Sequence, residues 1–332
     1  MTFIENSILQ HENVKVNNYR TKRTYSKAYD EIIEGLFAEK KYISSKFFYN
    51  KKGSELFEEI TKLDEYYPTR TEMSILKNVA PALFGSLKDV DIIELGSGDC
   101  SKISLLLDAI PINNISTITY VPVDVSKSAA YKSANILSNK YSNLNIDIVV
   151  ANFLDQYDYL ERENKKIVCF LGSTIGNLDK TQASEFVKGI AKKMNKGDQF
   201  LLGADMEKEL QIVEEAYNDK KGVTAAFNRN ILNTVNEITG ANFNTEHFNH
   251  VAFYNQSSNR IEMHLEANVD MEINIPNQST VLEIQKGATI HTENSHKFTQ
   301  AAILDFAQNN DLKLLEIYTD SNAYFSLSLF EK

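Results

Sequence analysis

The chain has 332 residues, 42% of them hydrophobic and 24% charged, which is the make-up of a folded globular protein with room for one large or two modest domains. Lys and Arg total 35 against 45 Asp and Glu, a net charge of −10 that argues against a nucleic-acid backbone as partner. No apolar run is long enough for a bilayer span, and Cys100 and Cys169 lie far apart without metal-ligand spacing and read as reduced, packed thiols.

The start, Met1-Thr-Phe-Ile-Glu-Asn6, lacks the basic opening and long apolar run of a secretory signal, so a cytoplasmic protein is expected. Residues 1–24 are polar, with Arg20, Lys22 and Arg23 clustered, and read as a solvated arm. Residues 25–76 show helical apolar spacing: Ile32, Ile33, Leu36 and Phe37, then Leu56, Phe57, Ile60 and Leu63. Pro68 disfavours helix at Tyr67, which predicts a fresh helix over 72–77 capped by Thr69 or Thr71. The run 90–95 then reads as a buried parallel strand, Gly96-Ser97-Gly98 as a tight turn and 102–108 as a helix. Strands at 117–124, 146–150, 167–171 and 199–203 alternate with helices at 126–142 and 181–194. Repeated βαβ units imply a parallel sheet with helices on both faces.

After Asp205 the rhythm changes. Helices are expected at 207–216 and 224–240, and antiparallel strands at 248–254 and 260–268 around the turn Asn255-Gln-Ser-Ser-Asn259. More strand leads to 290–295, and a helix at 298–309 with strands at 312–318 and 323–330 returns to the sheet. The expected fold is α/β: a Rossmann-like sheet from 71–207 plus 298–332, with a second α+β lobe from 18–70 plus 208–297.

Ligands of such sheets lie beyond the carboxyl ends of the strands. Those ends supply Gly96-Ser97-Gly98, Asp124, Asn152-Phe153 and the stretch from Gly172 to Asn177. Asp124 is suited to accept from two ribose hydroxyls, and Asn152 and Phe153 offer an amide edge and an aromatic face to adenine. The set reads as an adenosine pocket, against the alternative that each residue merely packs a strand end. Ser101 occupies the third position of a G-x-G-x-x-G fingerprint, which argues against a dinucleotide oxidoreductase, and no phosphate-binding loop of the G-x-x-x-x-G-K type is present. His247 and His250 could be read as a metal pair, but they lack a convincingly spaced third ligand and are read as ordinary core or surface histidines.

Glu94-Leu-Gly-Ser-Gly98, Val123-Asp124 and Lys196-Gly-Asp198 are similar to the motifs of class I S-adenosylmethionine-dependent methyltransferases. Tyr49-Asn-Lys-Lys-Gly-Ser-Glu-Leu-Phe57 with Glu65-Tyr-Tyr-Pro-Thr-Arg-Thr-Glu72 resembles the opening of the histidine-specific methyltransferases of ergothioneine biosynthesis. Phe170-Leu-Gly-Ser-Thr-Ile-Gly-Asn-Leu178, Gly222-Val-Thr-Ala-Ala-Phe-Asn228, Arg260-Ile-Glu-Met-His-Leu265 and Thr289-Ile-His-Thr-Glu-Asn-Ser295 resemble that family too.

The resemblance implies a class I methyltransferase sheet and Nα-trimethylation of L-histidine to hercynine. S-adenosyl-L-methionine would be the methyl donor, S-adenosyl-L-homocysteine the by-product, and no metal would take part. It also implies a small-molecule substrate with no nucleic-acid or membrane partner, and a monomer is expected. It places Tyr49, Gly96, Lys102, Asp124, Asn152 and Phe153 at the cofactor. It places Tyr66, Asn177, Tyr217, Met263, Glu293 and Ser295 around the substrate, with Tyr49 and Asn177 as the catalytic pair. Asn177 and Tyr217 would hold the carboxylate, Glu293 and Ser295 would bond the imidazole, and Tyr66 would pack near it. Physically, a carboxylate such as Glu293 selects an imidazole N–H over an apolar side chain. Alignment of a neutral amine can supply much of the rate without a covalent intermediate. No His or Lys in these motifs stands out as a base, so water or a tyrosine oxygen is expected to take the proton. Two rivals are a nucleic-acid amino-methyltransferase, disfavoured by the charge and by Gly176-Asn177-Leu178, and an adenosine-binding protein without turnover.

Overall fold

A computed structural model of the chain describes residues 12–19 and 22–332. Arg20, part of the basic cluster, lies outside the described residues, as do positions 1–11. The described chain opens with β1 (Val14–Asn18), α1 (Lys22–Phe37), α2 (Lys51–Ile60) and α3 (Tyr67–Phe84). A strand–helix alternation follows: β2 (Val90–Leu95), α4 (Ser101–Leu107), β3 (Thr119–Asp124), α5 (Lys127–Lys140) and β4 (Asn145–Val150). It continues through β5 (Lys165–Phe170), α6 (Lys180–Lys193) and β6 (Gln199–Asp205). Then come α7 (Leu210–Glu215), α8 (Val223–Thr239), β7 (Phe248–Asn255), β8 (Arg260–Ala267), β9 (Met271–Ile273), β10 (Leu282–Ile284) and β11 (Thr289–His296). The chain closes with α9 (Gln300–Asn309), β12 (Lys313–Thr319) and β13 (Phe325–Glu331).

Two compact units emerge, and one gathers β1 with Pro68–Glu207 and Lys297–Lys332. Its eight strands run in the order β1-β4-β3-β2-β5-β6-β13-β12. From β2 the chain winds one way through β3 and β4 and the other way through β5 and β6, all parallel. That reversal opens a crevice at the carboxyl ends of β2 and β5. Every residue of β2 is buried. Ile92 packs into one apolar cluster with Ile103 and Leu106 of α4, and Ile93 and Leu95 into another with Phe186 and Ile190 of α6. Both faces of the sheet are therefore covered, which a continuous apolar strand requires.

Three features differ from the sequence reading. Residues 14–18, expected as part of a solvated arm, form β1 and pair in parallel with β4, Val14 against Ile146 through Asn18 against Val150. Val14 is only 8% exposed and joins the core; two valines in a polar run were too little apolar signal to reveal a strand. Helix α3 begins at Tyr67, with Pro68 in its first turn and Thr69 and Thr71 inside it rather than capping it. A first-turn N–H has no intrahelical partner, so proline loses nothing there. Finally, β13 enters antiparallel to β6, and β12 antiparallel to β13, so the returning pair makes the sheet mixed.

The second unit gathers the chain up to Tyr67 that begins at α1 with Lys208–His296. It holds the antiparallel sheet β11-β8-β7, the pair β10-β9, and α1, α2, α7 and α8. Helix α8 buries Phe227, Ile231, Leu232 and Val235, and Phe48 stacks on Phe227 with centroids 4.5 Å apart. Asn50 caps α2 by accepting the Gly53 N–H at 2.7 Å and accepts from Asn230 Nδ2 at 2.9 Å. A Cβ on Gly53 would stand 1.7 Å from the Phe48 carbonyl oxygen, so only glycine permits this turn beside Tyr49.

Candidate active site

In the first unit the glycine turn after β2 follows from its backbone angles. Gly96 and Gly98 have φ of +74° and +50°, values that cost a side chain-bearing residue free energy. The Gly96 N–H donates to Val123 O at 2.8 Å, and Ser133 Oγ donates to Gly98 O at 2.7 Å, so the turn is tied to β3 and α5. The Phe153 ring lies against Gly96, 3.7 Å from where a Cβ would be, and packs edge-on to Phe170. Asp124, at the end of β3, accepts backbone N–H groups of Ser126 at 2.7 Å and of Gly98. Burial outweighs those two bonds and pushes its carboxyl up to about 6. Asn152 follows β4, its N–H donating to Gln156 Oε1 and its Oδ1 accepting from Leu154 N. Asn177 closes a short 3-10 turn, Thr174–Asn177, after β5.

Glu94 sits beneath this turn, buried, and accepts from Tyr120 Oη at 2.5 Å. Burial lifts its carboxyl to about 8, although Tyr120 and the Lys102 charge pull the other way. A folded-state value raised from 4.5 means the folded chain binds the proton more tightly than the unfolded chain does. The stability from this group is thus fully present below pH 4.5 and is lost as pH rises through about 8. Glu94→Gln keeps an acceptor for Tyr120 and removes the titration. The variant's melting temperature is expected to fall less than that of the parent chain between about pH 5 and pH 9; equal falls would mean that Glu94 does not titrate there.

Sequence reasoning missed one residue of this region. Glu72, on α3, is completely buried, with Oε2 2.7 Å from Lys102 Nζ. Its two oxygens also accept the Gly172 N–H, at 2.7 and 3.0 Å. Two glycines make room for it: a Cβ on Gly203 would lie 2.3 Å from Glu72 Oε1, and one on Gly172 would lie 2.8 Å from Lys102 Nζ. The available signal was Glu72 preceding Ile75 and Leu76 by a helical turn, an acid on the buried face.

In the second unit, a small cavity is walled by Phe57, Tyr66, Tyr217, Phe227, Met263 and Glu293, among others. It brings together four positions singled out from the sequence: Tyr66, Tyr217, Met263 and Glu293. Tyr66 and Tyr217 meet edge-to-face with centroids 6.2 Å apart. Tyr217 Oη donates to Ser295 Oγ at 2.6 Å, which ties a fifth position to the cavity wall. Met263 on β8 is directly opposite Glu293 on β11. Tyr49 follows the 3-10 turn Ser45–Phe48 and packs edge-on to Phe57 and Phe227 rather than lining this cavity.

A sheet wound from β2, a glycine turn at its end and an acid closing the next strand define a class I S-adenosylmethionine-dependent methyltransferase. Within that class, the chain belongs to the histidine-specific, SAM-dependent methyltransferase family, whose model matches residues 28–332. It is 35% identical to the histidine N-alpha-methyltransferase of Mycobacterium tuberculosis over 302 residues, covering 91% of this chain and 94% of the relative. The protein of the same name from Mycolicibacterium smegmatis is 34% identical over 299 residues, covering 90% and 93%. Ergothioneine biosynthesis protein 1 of Schizosaccharomyces pombe is 27% identical over 302 residues, covering 87% of this chain and 39% of that longer protein.

Proposed function

We propose that this enzyme transfers methyl groups from S-adenosyl-L-methionine to the α-amino nitrogen of L-histidine three times, giving hercynine, the first step of ergothioneine biosynthesis. The observation that carries the substrate reading is Glu293, an acid in the wall of an otherwise mainly aromatic and apolar cavity. An imidazole has both the flat apolar faces and the N–H donor that such a wall satisfies, whereas an alkyl chain would leave the acid without a partner.

The first unit fits the cofactor. A carboxylate has about four lone-pair positions, and backbone N–H groups from two residues leave Asp124 able to accept ribose hydroxyls. Phe153 beside Gly96 offers a ring face to adenine, with Asn152 at its edge, and the ammonium of Lys102 suits the cofactor's carboxylate. The cofactor supplies an electrophilic sulfonium methyl group. In the second unit, Glu293 and Ser295 orient the imidazole, Tyr66 packs against it and Met263 shapes the wall. The family resemblance assigns Asn177 and Tyr217 to the substrate carboxylate and Tyr49 to the cofactor. These contacts fix the amine so that its neutral lone pair faces the methyl group, the arrangement from which alignment lowers the barrier. The amine's proton passes to water or a tyrosine oxygen, and no metal takes part.

We read the enzyme as a cytoplasmic monomer acting on a small molecule, without a nucleic-acid partner, which accords with its charge of −10. Among the described residues, no helix is long and apolar enough to cross a membrane. Mass spectrometry of L-histidine incubated with the chain and the methyl donor should reveal mono-, di- and trimethylated species in succession. If none formed at saturating donor, the histidine assignment would fall, and tryptophan-derived amines would be tried next.

A further inference from the structure

Strand β11 does not present one regular face. Its register pairs His291 with His264 but Glu293 with Met263, with an irregularity at the residue between them. Directly paired residues share a sheet face, and residues two apart on a regular strand do as well. The extra residue, Thr292, therefore sends His291 and Glu293 to opposite faces, as a β-bulge does. Thr292 is buried, and its hydroxyl bonds to Asn228 Oδ1 at 2.6 Å and the Met263 carbonyl at 3.0 Å.

The face away from Met263 and Glu293 carries Glu262, His264 and His291, which bring one ligand-type atom each within 4.8 Å of one another. Two nitrogens there are unexplained by hydrogen bonding: His264 Nδ1 and His291 Nε2 are both shielded from solvent and have no partner. Buried polar atoms nearly always have one. The supporting groups are already in place. His264 Nε2 lies 3.1 Å from Glu262 Oε2, while Glu262 Oε1 accepts from Arg260 Nε and Nη2 at 2.9 and 2.7 Å and from Asn255 Nδ2 at 2.9 Å. Phe253 stacks on His264, fixing the ring plane.

We infer that Glu262, His264 and His291 form a binding site for a divalent first-row cation of the zinc type, on the face of β8 and β11 away from the substrate cavity. Two imidazoles and a carboxylate suit Zn²⁺ far better than the all-oxygen preferences of Mg²⁺ or Ca²⁺. Arg260 and Asn255 act on the carboxylate oxygen turned away from His264, as outer-shell groups orient a ligating acid. The cation's role is structural. It cross-links β8 to β11 at the bulge, on the strands that carry Met263 and Glu293 on their other side, and it takes no part in methyl transfer.

The test uses the full chain, stripped with a chelator, dialysed, and titrated with Zn²⁺ in competition with a chromogenic chelator. The expected result is one saturable equivalent and a higher melting temperature with Zn²⁺. His291→Ala and His264→Gln should each weaken binding at least about tenfold and abolish the melting shift, whereas His247→Ala should leave both intact. Circular dichroism and binding of the methyl donor establish that each variant is folded. Co²⁺ loading adds a ligand-field spectrum that the two site variants should lack. Absence of a saturable equivalent, or its persistence in folded His291→Ala and His264→Gln, would overturn the proposal. Neither result bears on whether histidine is the substrate, because methylation is not the readout.

Discussion

Glu293→Ala is expected to lower kcat/KM for L-histidine about a hundredfold while leaving the affinity for the methyl donor unchanged. A hydrogen bond to a charged acceptor contributes about 1.5–3 kcal/mol, and each 1.4 kcal/mol is a factor of about ten. The effect falls on the amino acid because Glu293 lies in the second unit's cavity wall, opposite Met263. Glu293→Gln retains a carbonyl acceptor without the charge, so its loss should be intermediate. Steady-state kinetics with L-histidine, alongside a direct titration of the methyl donor, separates the outcomes. An unchanged kcat/KM in Glu293→Ala would remove imidazole recognition from this residue and leave it a wall group.

The second large effect is expected at Glu72. Removing one member of a buried ion pair commonly costs about 3–5 kcal/mol, because the other charge stays behind. Lys102 keeps 20% of its side-chain surface exposed, so water can partly solvate the orphaned ammonium and the lower part of that range, about 3 kcal/mol, is the better expectation. Glu72→Ala also frees the Gly172 N–H and opens space beside Gly203. With Lys102 no longer held, the dissociation constant for the methyl donor should rise at least about tenfold. Denaturant unfolding and donor titration read the two consequences separately. A destabilised variant that still bound the donor normally would assign Glu72 to folding alone and sever Lys102 from the cofactor.

The strands most legible from sequence were those buried on both faces. Val90–Leu95 is apolar at most positions because two helical layers cover it, and such runs announce themselves without knowledge of partners. β1 did not, because this short edge strand buries only Val14 and Val16, on the face that packs against the core, and leaves Lys15 and Asn17 exposed. Pro68 misled because the same residue that ends one helix is also a favoured opener of the next. Glu72 was hidden for a related reason. An acid on a helix is ordinarily solvated, and only the tertiary placement of Lys102, Gly172 and Gly203 shows why this one is not. In the second unit, the family resemblance marked Tyr66, Tyr217, Met263 and Glu293 one by one. Their meeting in one cavity depends on strand register and helix packing, which no local pattern in the chain contains.

Thr292 makes the two faces of β11 depend on register, because it alone stands outside the ladder between His291 and Glu293. Side-chain direction along a strand is a matter of parity, and one added residue reverses the parity of everything beyond it. If Thr292 entered the ladder opposite Met263 while residues 289–291 kept their pairing, Glu293 would fall opposite Glu262 on the histidine side and Asn294 would turn to the cavity face in its place. Point changes along this ribbon alter one side chain each, whereas loss of the bulge by a one-residue slip would exchange the contents of its two faces. One strand pair thus keeps an acid in a cavity wall on one side and a cluster of two histidines and a glutamate on the other, set apart by a one-residue phase shift.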